Sequence, residues 1–358
     1  MLLRRLSVNR LFLLACGLLP ALSACTAEMP QTTLTPKSYN AQAIFDLFEP
    51  IFWMAVAVFF IVEAMLIYSV FRFRTRDDAK GIPEQLHGNE KLEITWTIIP
   101  AIILGVIFFM TLNTLNIVHT PPASAGSALN VRIIGHQWWW EFQYPDVRTA
   151  DGKVLSTAND LHVPASAVVN YTLETVDVIH SFWVPHLGGK MDLVPGKVNR
   201  FYFVAPAQGH DFFGQCAEFC GAQHANMRFI TVVDGDSDYQ AWLKNQQAVA
   251  ATPTSADARL GADLFARSGC VACHNINGAV PVTDGKIGPN LTHVASRKTI
   301  AGGTLANNKA NLSKWLHNPE AIKPGNAMAA TMKGIVAGWG ADADKNIAAL
   351  VEYLSSLK

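Results

Sequence analysis

Two long apolar segments stand out near the start of the chain, at residues 51–71 and 94–115. Each is close to the ~20 residues that a membrane-spanning helix needs. Because basic loops stay on the cytoplasmic side of a membrane, we predict a two-helix transmembrane hairpin within residues 25–117, with both outer ends outside the cytoplasm. A buried helical hairpin of a soluble protein is the alternative. The basic residues between the two segments are Arg72, Arg74, Arg76, Lys80 and Lys91.

A shorter apolar run, residues 11–19, follows three arginines and cannot span a bilayer. This arrangement predicts an export signal over residues 1–24. Shortly after the run comes Leu22-Ser23-Ala24-Cys25, which resembles a bacterial lipoprotein processing box. The resemblance implies that Cys25 is lipidated as the first residue of the mature chain, and ordinary cleavage nearby is the alternative.

The pattern changes to short β-branched and aromatic runs within residues 126–244, separated by Pro, Gly, Asp and Asn. Such runs predict an antiparallel β-sandwich. Three consecutive tryptophans, Trp138, Trp139 and Trp140, fall in this region. Since side chains alternate between the faces of a strand, we expect at least one of them on the surface or against another subunit. The alternative is that all three fill the sandwich.

The C-terminal part of the chain reads as a separate helical unit, residues 257–358. The segment 245–256 before it has no charged residue and is rich in Ala, Thr and Gln, so it is predicted to be a mobile linker. Residues 344–358 form an amphipathic pattern with Leu350, Tyr353 and Leu354 on one face. A second helix is predicted around Gly261, whose small size would let the two helices cross closely.

Composition adds two constraints. The chain has 358 residues, half of them hydrophobic, and no net charge, which suggests two or three domains and argues against a nucleic-acid partner. Charge is uneven, however. Residues 257–358 carry eleven basic and seven acidic residues, a formal +4, and residues 126–246 carry eight basic and twelve acidic, a formal −4. Opposite charges favour association of the two regions.

The residues with the clearest metal chemistry lie in the segment 214–227. Soft thiolate and thioether ligands beside imidazole select copper over hard cations. With His180 the set holds two Cys, two His and one Met, which is more than one blue-copper ion needs and fits a pair of coppers better. A disulfide between the cysteines and a structural zinc site that leaves the methionine unused are the alternatives. The ligands in the segment are Cys216, Cys220, His224 and Met227.

This spacing resembles the dinuclear copper (CuA) loop of subunit II of haem–copper oxidases. The resemblance implies a cupredoxin fold, with Cys216 and Cys220 bridging two coppers and one imidazole, His180 or His224, on each. It also implies Met227 as a weak ligand and Glu218 as a ligand through its backbone carbonyl. A magnesium ion at the partner interface through Glu218 is a further expectation.

Two other residues gain roles from the same resemblance. Glu93 begins the second apolar segment in a stretch that resembles the second helix of oxidase subunit II, where the matching residue lies at the mouth of a proton channel. From the residues alone, a solvated interfacial Glu is the favoured interpretation, and the resemblance makes the two interpretations about even. Trp138 matches the residue that passes electrons inward to the copper.

A second cofactor is indicated by Cys270-Val-Ala-Cys273-His274, the attachment signature of c-type haem. The unit resembles class I cytochrome c. The resemblance implies that the Pro289 carbonyl accepts the His274 N–H, and that Met328 is the second iron ligand with Met332 as a rival.

Together the resemblances cover nearly the whole mature chain and imply subunit II of a bacterial cytochrome c oxidase with a fused cytochrome c domain. Electrons would pass from an external donor, a soluble cytochrome, copper protein or respiratory complex, through haem c and copper to a catalytic subunit I that reduces oxygen to water. The alternatives are the electron-entry subunit of a copper-containing nitric oxide reductase and a membrane-anchored copper-binding or delivery protein.

Overall fold

The computed structural model describes residues 29–74, 85, 87–123, 126–278 and 287–358. The predicted signal peptide and the lipidation site at Cys25 lie outside these residues. The described chain begins with two long helices, α1 (Tyr39–Arg72) and α2 (Glu90–His119), both long and apolar enough to cross a membrane. They contain the two predicted apolar segments and extend beyond them.

The outer ends of both helices are fixed to the β-domain. The Asn40 amide donates to the carbonyl oxygen of Tyr202 at 3.3 Å, and its oxygen accepts the N–H of Val204 at 3.0 Å. The Tyr202 hydroxyl donates to the carbonyl oxygen of Thr120 at 2.7 Å. The Tyr202 bond satisfies a carbonyl at the end of α2, and the Asn40 bonds satisfy backbone groups of the strand that contains Tyr202. Together they attach the β-domain directly to the hairpin.

Two five-stranded sheets form the predicted sandwich. The β-branched and aromatic runs at residues 131–134, 168–173, 200–204 and 228–233 all lie in strands. The first sheet has the order β3-β2-β1-β5-β8, and the second β4-β10-β9-β6-β7. The strands are β1 (Ala128–His136), β2 (Trp139–Arg148), β3 (Val154–Ala158), β4 (Asp160–Pro164), β5 (Val168–Thr175), β6 (His180–Trp183), β7 (Met191–Leu193), β8 (Asn199–Val204), β9 (His210–Cys216) and β10 (Arg228–Asp234).

The predicted antiparallel pairing holds for most neighbouring strands but not for all. Strand β1 runs parallel to β5, and β4 runs parallel to β10. Both are pairs of strands that are distant in sequence, so long connections bring them side by side and hairpin geometry does not set their direction. The fold is therefore a β-sandwich with mixed sheets.

Aromatic residues fill the space between the sheets. Trp140 and Phe229 have ring centroids 5.4 Å apart, and Phe182 stacks on Phe229 at 4.6 Å. Trp140 is fully buried, whereas Trp138 and Trp139 are only partly buried. The three tryptophans therefore do not share one core.

The segment predicted as a linker has its own contacts. Helix α3 (Asp236–Gln247) includes residues 245–247. Beyond it, the Ala250 N–H donates to the carbonyl oxygen of Asn277 at 2.9 Å, and the ring of His293 lies 3.1 Å from the carbonyl oxygen of Ala248. The first half of the segment thus packs on the helical unit that follows it.

The C-terminal unit is helical, as predicted, with its own hydrophobic core. Its first and last helices cross at Gly261, where a Cβ atom would overlap the carbonyl oxygen of Ala349. Phe265 and Tyr353 make an edge contact beside this crossing, with centroids 5.9 Å apart. The elements are α4 (Ala256–Arg267), β11 (Thr299–Ile300), β12 (Leu305–Ala306), α5 (Lys309–His317), α6 (Pro319–Ile322), α7 (Ala327–Trp339) and α8 (Ala343–Ser356).

Candidate copper and haem sites

The five side chains predicted to bind copper meet at one end of the sandwich. Cys216 ends strand β9, and the loop that returns to β10 carries the next three ligands. The Sγ atoms of Cys216 and Cys220 are 3.8 Å apart, the Nδ1 atom of His224 is 3.7 Å from the Cys220 sulfur, and the Met227 sulfur is 3.8 Å from it. Sequence spacing had suggested this convergence, and the strand ends produce it.

The fifth side chain, His180, comes from the neighbouring strand β6. Its Nδ1 atom is 3.8 Å from the Cys216 sulfur, and its Nε2 atom is 2.8 Å from an oxygen of Asp177. A carboxylate on the far nitrogen fixes the tautomer and orientation of a metal-binding imidazole. Burial disfavours the charged ring, but Asp177 and Cys216 outweigh it and raise the pKa of His180.

The chemistry of this donor set fits copper. Cys216 and Cys220 are free, and their separation is far from the ~2.05 Å of a disulfide. The hydrogen bond between their sulfurs lowers the pKa of the Cys216 thiol, which favours a thiolate ligand. Met227 is fully buried with its sulfur in the cluster, whereas a zinc site would leave a thioether unused. Soft sulfur with imidazole suits copper.

The backbone of Glu218 lies beside the predicted copper ligands. Its carbonyl oxygen lies 3.2 Å from the Cys216 sulfur, so it points into the cluster. Its carboxylate is on the exposed surface of the loop.

Glu93, at the start of α2, is also exposed, and its Oε1 atom accepts the N–H of Asn89 at 3.2 Å. A helix-capping contact is thus one role that Glu93 has in this chain.

Trp138 packs against the copper-ligand loop. Its Nε1–H donates to the carbonyl oxygen of Cys220 at 2.9 Å, and the Gln137 amide donates to the same oxygen at 2.8 Å. A Cβ atom at Gly221 would come within 3.1 Å of the Trp138 ring. The glycine therefore lets the indole approach the loop closely.

The other side of Trp138 faces a cavity in the helical domain. The cavity is lined by the haem-attachment residues and also by Trp138 and Trp139 of the sandwich. Trp139 is held by stacking on the buried ring of His136, with centroids 4.0 Å apart. One indole thus touches both candidate cofactor sites.

Residues of this cavity suit a covalently bound haem. Cys270 and Cys273 are free thiols, and the predicted bond is present, because the Nδ1 atom of His274 lies 2.9 Å from the carbonyl oxygen of Pro289. Burial lowers the pKa of His274 and favours the neutral ring that binds iron. Arg297 also lines the cavity, and its buried Nε atom has no hydrogen-bond partner in the part of the chain that the structure describes. This cation suits the acidic side chains of a haem.

Both candidate methionines reach the cavity from α7. Met328 lies in the first turn and is partly buried, whereas Met332, one turn later, is 2% exposed and belongs to the hydrophobic core. Positions four apart share a helix face, so lining the cavity does not by itself separate them. The greater share of Met332 in core packing favours Met328 as the free ligand.

Several residues of these sites were not singled out from the sequence. The signal for Asp177 was its position three residues before His180. Gln137 and Trp139 flank Trp138, and the run of tryptophans could have marked all of them. Lys323 and Arg297 gave no signal, because their surroundings come from distant parts of the chain.

Comparisons with known proteins agree with this geometry. Family models match residues 129–234 (cytochrome c oxidase subunit II, periplasmic domain), 30–114 (its transmembrane domain) and 258–358 (cytochrome c). Cytochrome c oxidase subunit 2 of Alkalihalophilus pseudofirmus is 34% identical over 94% of each chain, and that of Bacillus subtilis is 34% identical over 97% of each. The crystal structure of the periplasmic domain of oxidase subunit II of Bradyrhizobium japonicum is 31% identical over 36% of this chain and 96% of that chain, with a TM-score of 0.30.

These matches assign copper to the sandwich and haem to the helical domain, and they place both on the outer side of a bacterial plasma membrane crossed by α1 and α2. They favour the oxidase over the nitric oxide reductase and copper-delivery alternatives. The chain therefore belongs to the cytochrome c oxidase subunit II family, as a member with a fused cytochrome c domain that serves as the electron-entry subunit of an oxygen-reducing respiratory oxidase.

Proposed function

We propose that this subunit holds a dinuclear copper centre and one covalent haem, and that Trp138 couples them. The observation that carries the proposal is the position of Trp138, whose indole donates to the Cys220 carbonyl at 2.9 Å and also lines the haem cavity. When bound, the two cofactors supply one-electron redox chemistry. The chain binds them, orients them and keeps them on either side of one aromatic ring.

In the copper site, the thiolates of Cys216 and Cys220 would hold the two ions together with the imidazoles of His180 and His224. Met227 and the Glu218 carbonyl complete the set. The contacts of 3.7–3.8 Å among the side chains support this assignment. The Asp177 carboxylate orients His180. The exposed Glu218 carboxylate is proposed to bind magnesium together with the catalytic subunit.

In the haem site, Cys270 and Cys273 form the thioether bonds, and His274 and Met328 bind the iron. The Pro289 carbonyl fixes the ring of His274 and raises its basicity as a ligand. A thioether as the second ligand raises the reduction potential.

The partners follow from the placement of the two domains. The catalytic subunit contacts the membrane hairpin and the copper end of the sandwich, with Glu93 near a proton channel of that subunit. Because the haem domain covers the Trp138 side of the sandwich, the external donor delivers electrons to the haem domain. A soluble cytochrome, a copper protein and a respiratory complex are the candidate donors.

Reciprocal substitutions test the two cofactor assignments. Cys216→Ser is expected to remove the mixed-valence copper spectrum, reduce copper from two ions per chain to one or none, and leave the haem spectrum intact, because the sandwich alone supplies the copper ligands. Cys273→Ser serves as the matched control and is expected to disrupt haem attachment while both coppers remain. Metal analysis and optical spectroscopy of the purified oxidase measure both. One copper per chain in the unsubstituted protein would reject the dinuclear centre.

A further inference from the structure

Among the described residues, the hydrogen bonds between the haem domain and the copper domain involve two segments of the haem domain, residues 298–306 around the β11–β12 turn and the loop 323–326. In the first segment, the N–H of Lys298 donates to a carboxylate oxygen of Asp160 at 2.5 Å. The N–H of Arg228 donates to the Gly302 carbonyl at 3.0 Å. In the second, the Gln223 amide donates to the Pro324 carbonyl at 2.9 Å. Backbone groups of the two domains are therefore bonded directly to each other.

Lys323 begins the second segment and is only 3% exposed. Its ammonium donates to three backbone carbonyls, those of Trp138 at 2.6 Å, Asn226 at 2.8 Å and Ala301 at 3.2 Å. The first two belong to the copper domain and the third to the β11–β12 turn. Within the described residues, no carboxylate lies within 4 Å of the ammonium.

An ammonium has three protons, so three carbonyls satisfy it completely. Without them the buried charge would have no partner among the described residues, which is strongly unfavourable. Burial lowers the pKa of Lys323 to about 7, although the nearby Cys220 acts to raise it. The site is therefore complete only while both domains supply their carbonyls.

Two features of the surrounding chain fit this arrangement. Gly302 has a φ of +68°, and a Cβ atom there would overlap the Lys323 ammonium and the Trp138 carbonyl oxygen. The glycine thus leaves the space in which the contact forms. Lys323 also directly precedes the loop that leads to Met328, and Asn226 directly precedes Met227.

We propose that Lys323 is a positioning residue that fastens the haem domain to the copper domain and holds the loop before Met328 against the copper-ligand loop. This deepens the proposed function and rests on it. The domain is then docked in one position beside Trp138, although its linker has the composition of a flexible chain.

The test uses Lys323→Met in the complete oxidase, with Lys309→Met as the matched control. The control removes the same charge from the haem domain at an exposed position, where Lys309 pairs with Glu352. Hydrogen exchange of the Arg228 amide reports undocking, because its acceptor is the Gly302 carbonyl of the other domain. Loss of the ammonium leaves buried carbonyls unpaired, so we expect this exchange to accelerate about tenfold or more, and to stay unchanged in the control.

A second measurement separates docking from folding and from electron transfer. Exchange within α4 and α8 is expected to stay slow in Lys323→Met, which shows that the haem domain remains folded. Haem-to-copper transfer is expected to become about tenfold slower and dependent on solvent viscosity, since the docked fraction falls. Lys323→Gln keeps two donors without the charge. Its transfer rate is expected to lie between those of the unsubstituted oxidase and Lys323→Met.

Unchanged exchange at Arg228 in Lys323→Met would overturn the proposal. Accelerated exchange with an unchanged transfer rate would also overturn it, because Lys323 would then fasten the domain without positioning it for transfer. Absence of haem-to-copper transfer in the unsubstituted oxidase would instead refute the proposed function. The exchange result would stand in that case, since it needs no electron transfer.

Discussion

The candidate copper ligands all come from one domain, within residues 180–227, whereas the candidate haem cavity takes its walls from two domains. The copper side chains meet because strands β6 and β9 are hydrogen-bonded neighbours and the following loop returns to β10. The haem cavity has its attachment residues in the helical domain, but Trp138 and Trp139 close it from the sandwich.

This difference separates two ways of building a redox site. A β-sandwich holds a ligand cluster rigidly without help, because its strand ends are fixed by ladders and a packed aromatic core. The small helical domain completes its cavity only when docked. We therefore expect copper binding to be insensitive to the haem domain, and haem properties to depend on contact with the copper domain.

The strongest effect is expected from replacing the second iron ligand, which tests whether both iron ligands lie inside the helical domain. Met328→Leu is expected to abolish the sulfur–iron absorption band and to lower the haem reduction potential, because the thioether ligand is lost. Met332→Leu keeps the core volume, costs less than about 1.5 kcal/mol of stability, and is expected to keep the band. Optical spectra and redox titration measure both, and the reverse pattern would make Met332 the ligand.

An intermediate effect is expected where the two sites share a residue. Trp138→Ala removes both the cavity wall and the bond to the Cys220 carbonyl, and small displacements in such sites cost up to about a hundredfold in rate. We expect haem-to-copper transfer, followed by stopped-flow spectroscopy, to slow about tenfold or more while both cofactors remain bound.

Trp139→Ala is the matched control for that experiment. It removes a neighbouring part of the same cavity wall and leaves the Trp138 indole on the Cys220 carbonyl, so a smaller loss of rate is expected. Equal losses would mean that Trp138 acts only as cavity wall, and an unchanged rate in Trp138→Ala would remove it from the path altogether.

The weakest effect is that of salt on haem-to-copper transfer within the intact chain. It tests whether the two domains stay docked. The formal charges of +4 and −4 favour encounter of separate domains, and exposed charges more than about 10 Å apart are largely screened at ~0.1 M salt. Transfer between separately expressed domains is therefore expected to fall steeply with salt. Within the intact chain, the tether and the buried Lys323 contact keep the domains together, so the rate should change little.

Equal salt slopes for the intact chain and the separated domains would contradict that expectation. They would show that the two domains of the intact chain meet by diffusion, as free proteins do. The haem cavity would then be closed only part of the time, and the contrast between a self-contained and a shared site would disappear.

Much of the local structure could be predicted because it depends on short-range patterns. The run Val168–Leu173 forms part of β5, Gly261 allows the predicted helix crossing, and the spacing of Cys216, Cys220, His224 and Met227 corresponds to ligands on one tight loop. Each follows from side-chain alternation, helical period or ligand spacing.

The pairing of strands that are distant in sequence was harder to predict from the sequence. The parallel alignment of β1 with β5 and of β4 with β10 depends on connections between distant strands. The role of the linker depends likewise on contacts, since Ala250 packs in the core of the haem domain, whereas its composition indicated only flexibility.

The chemistry of this protein can be predicted from the sequence, because the ligand types and their spacing lie in contiguous residues such as 214–227 and 270–274. The way in which the two redox sites are joined depends on tertiary contacts. Trp138, Asn226, Ala301 and Lys323 are far apart in sequence. They come together because a buried cation is hydrogen-bonded to carbonyls of two domains. Buried polar groups must find hydrogen-bond partners, and partners that are distant in sequence leave no local pattern.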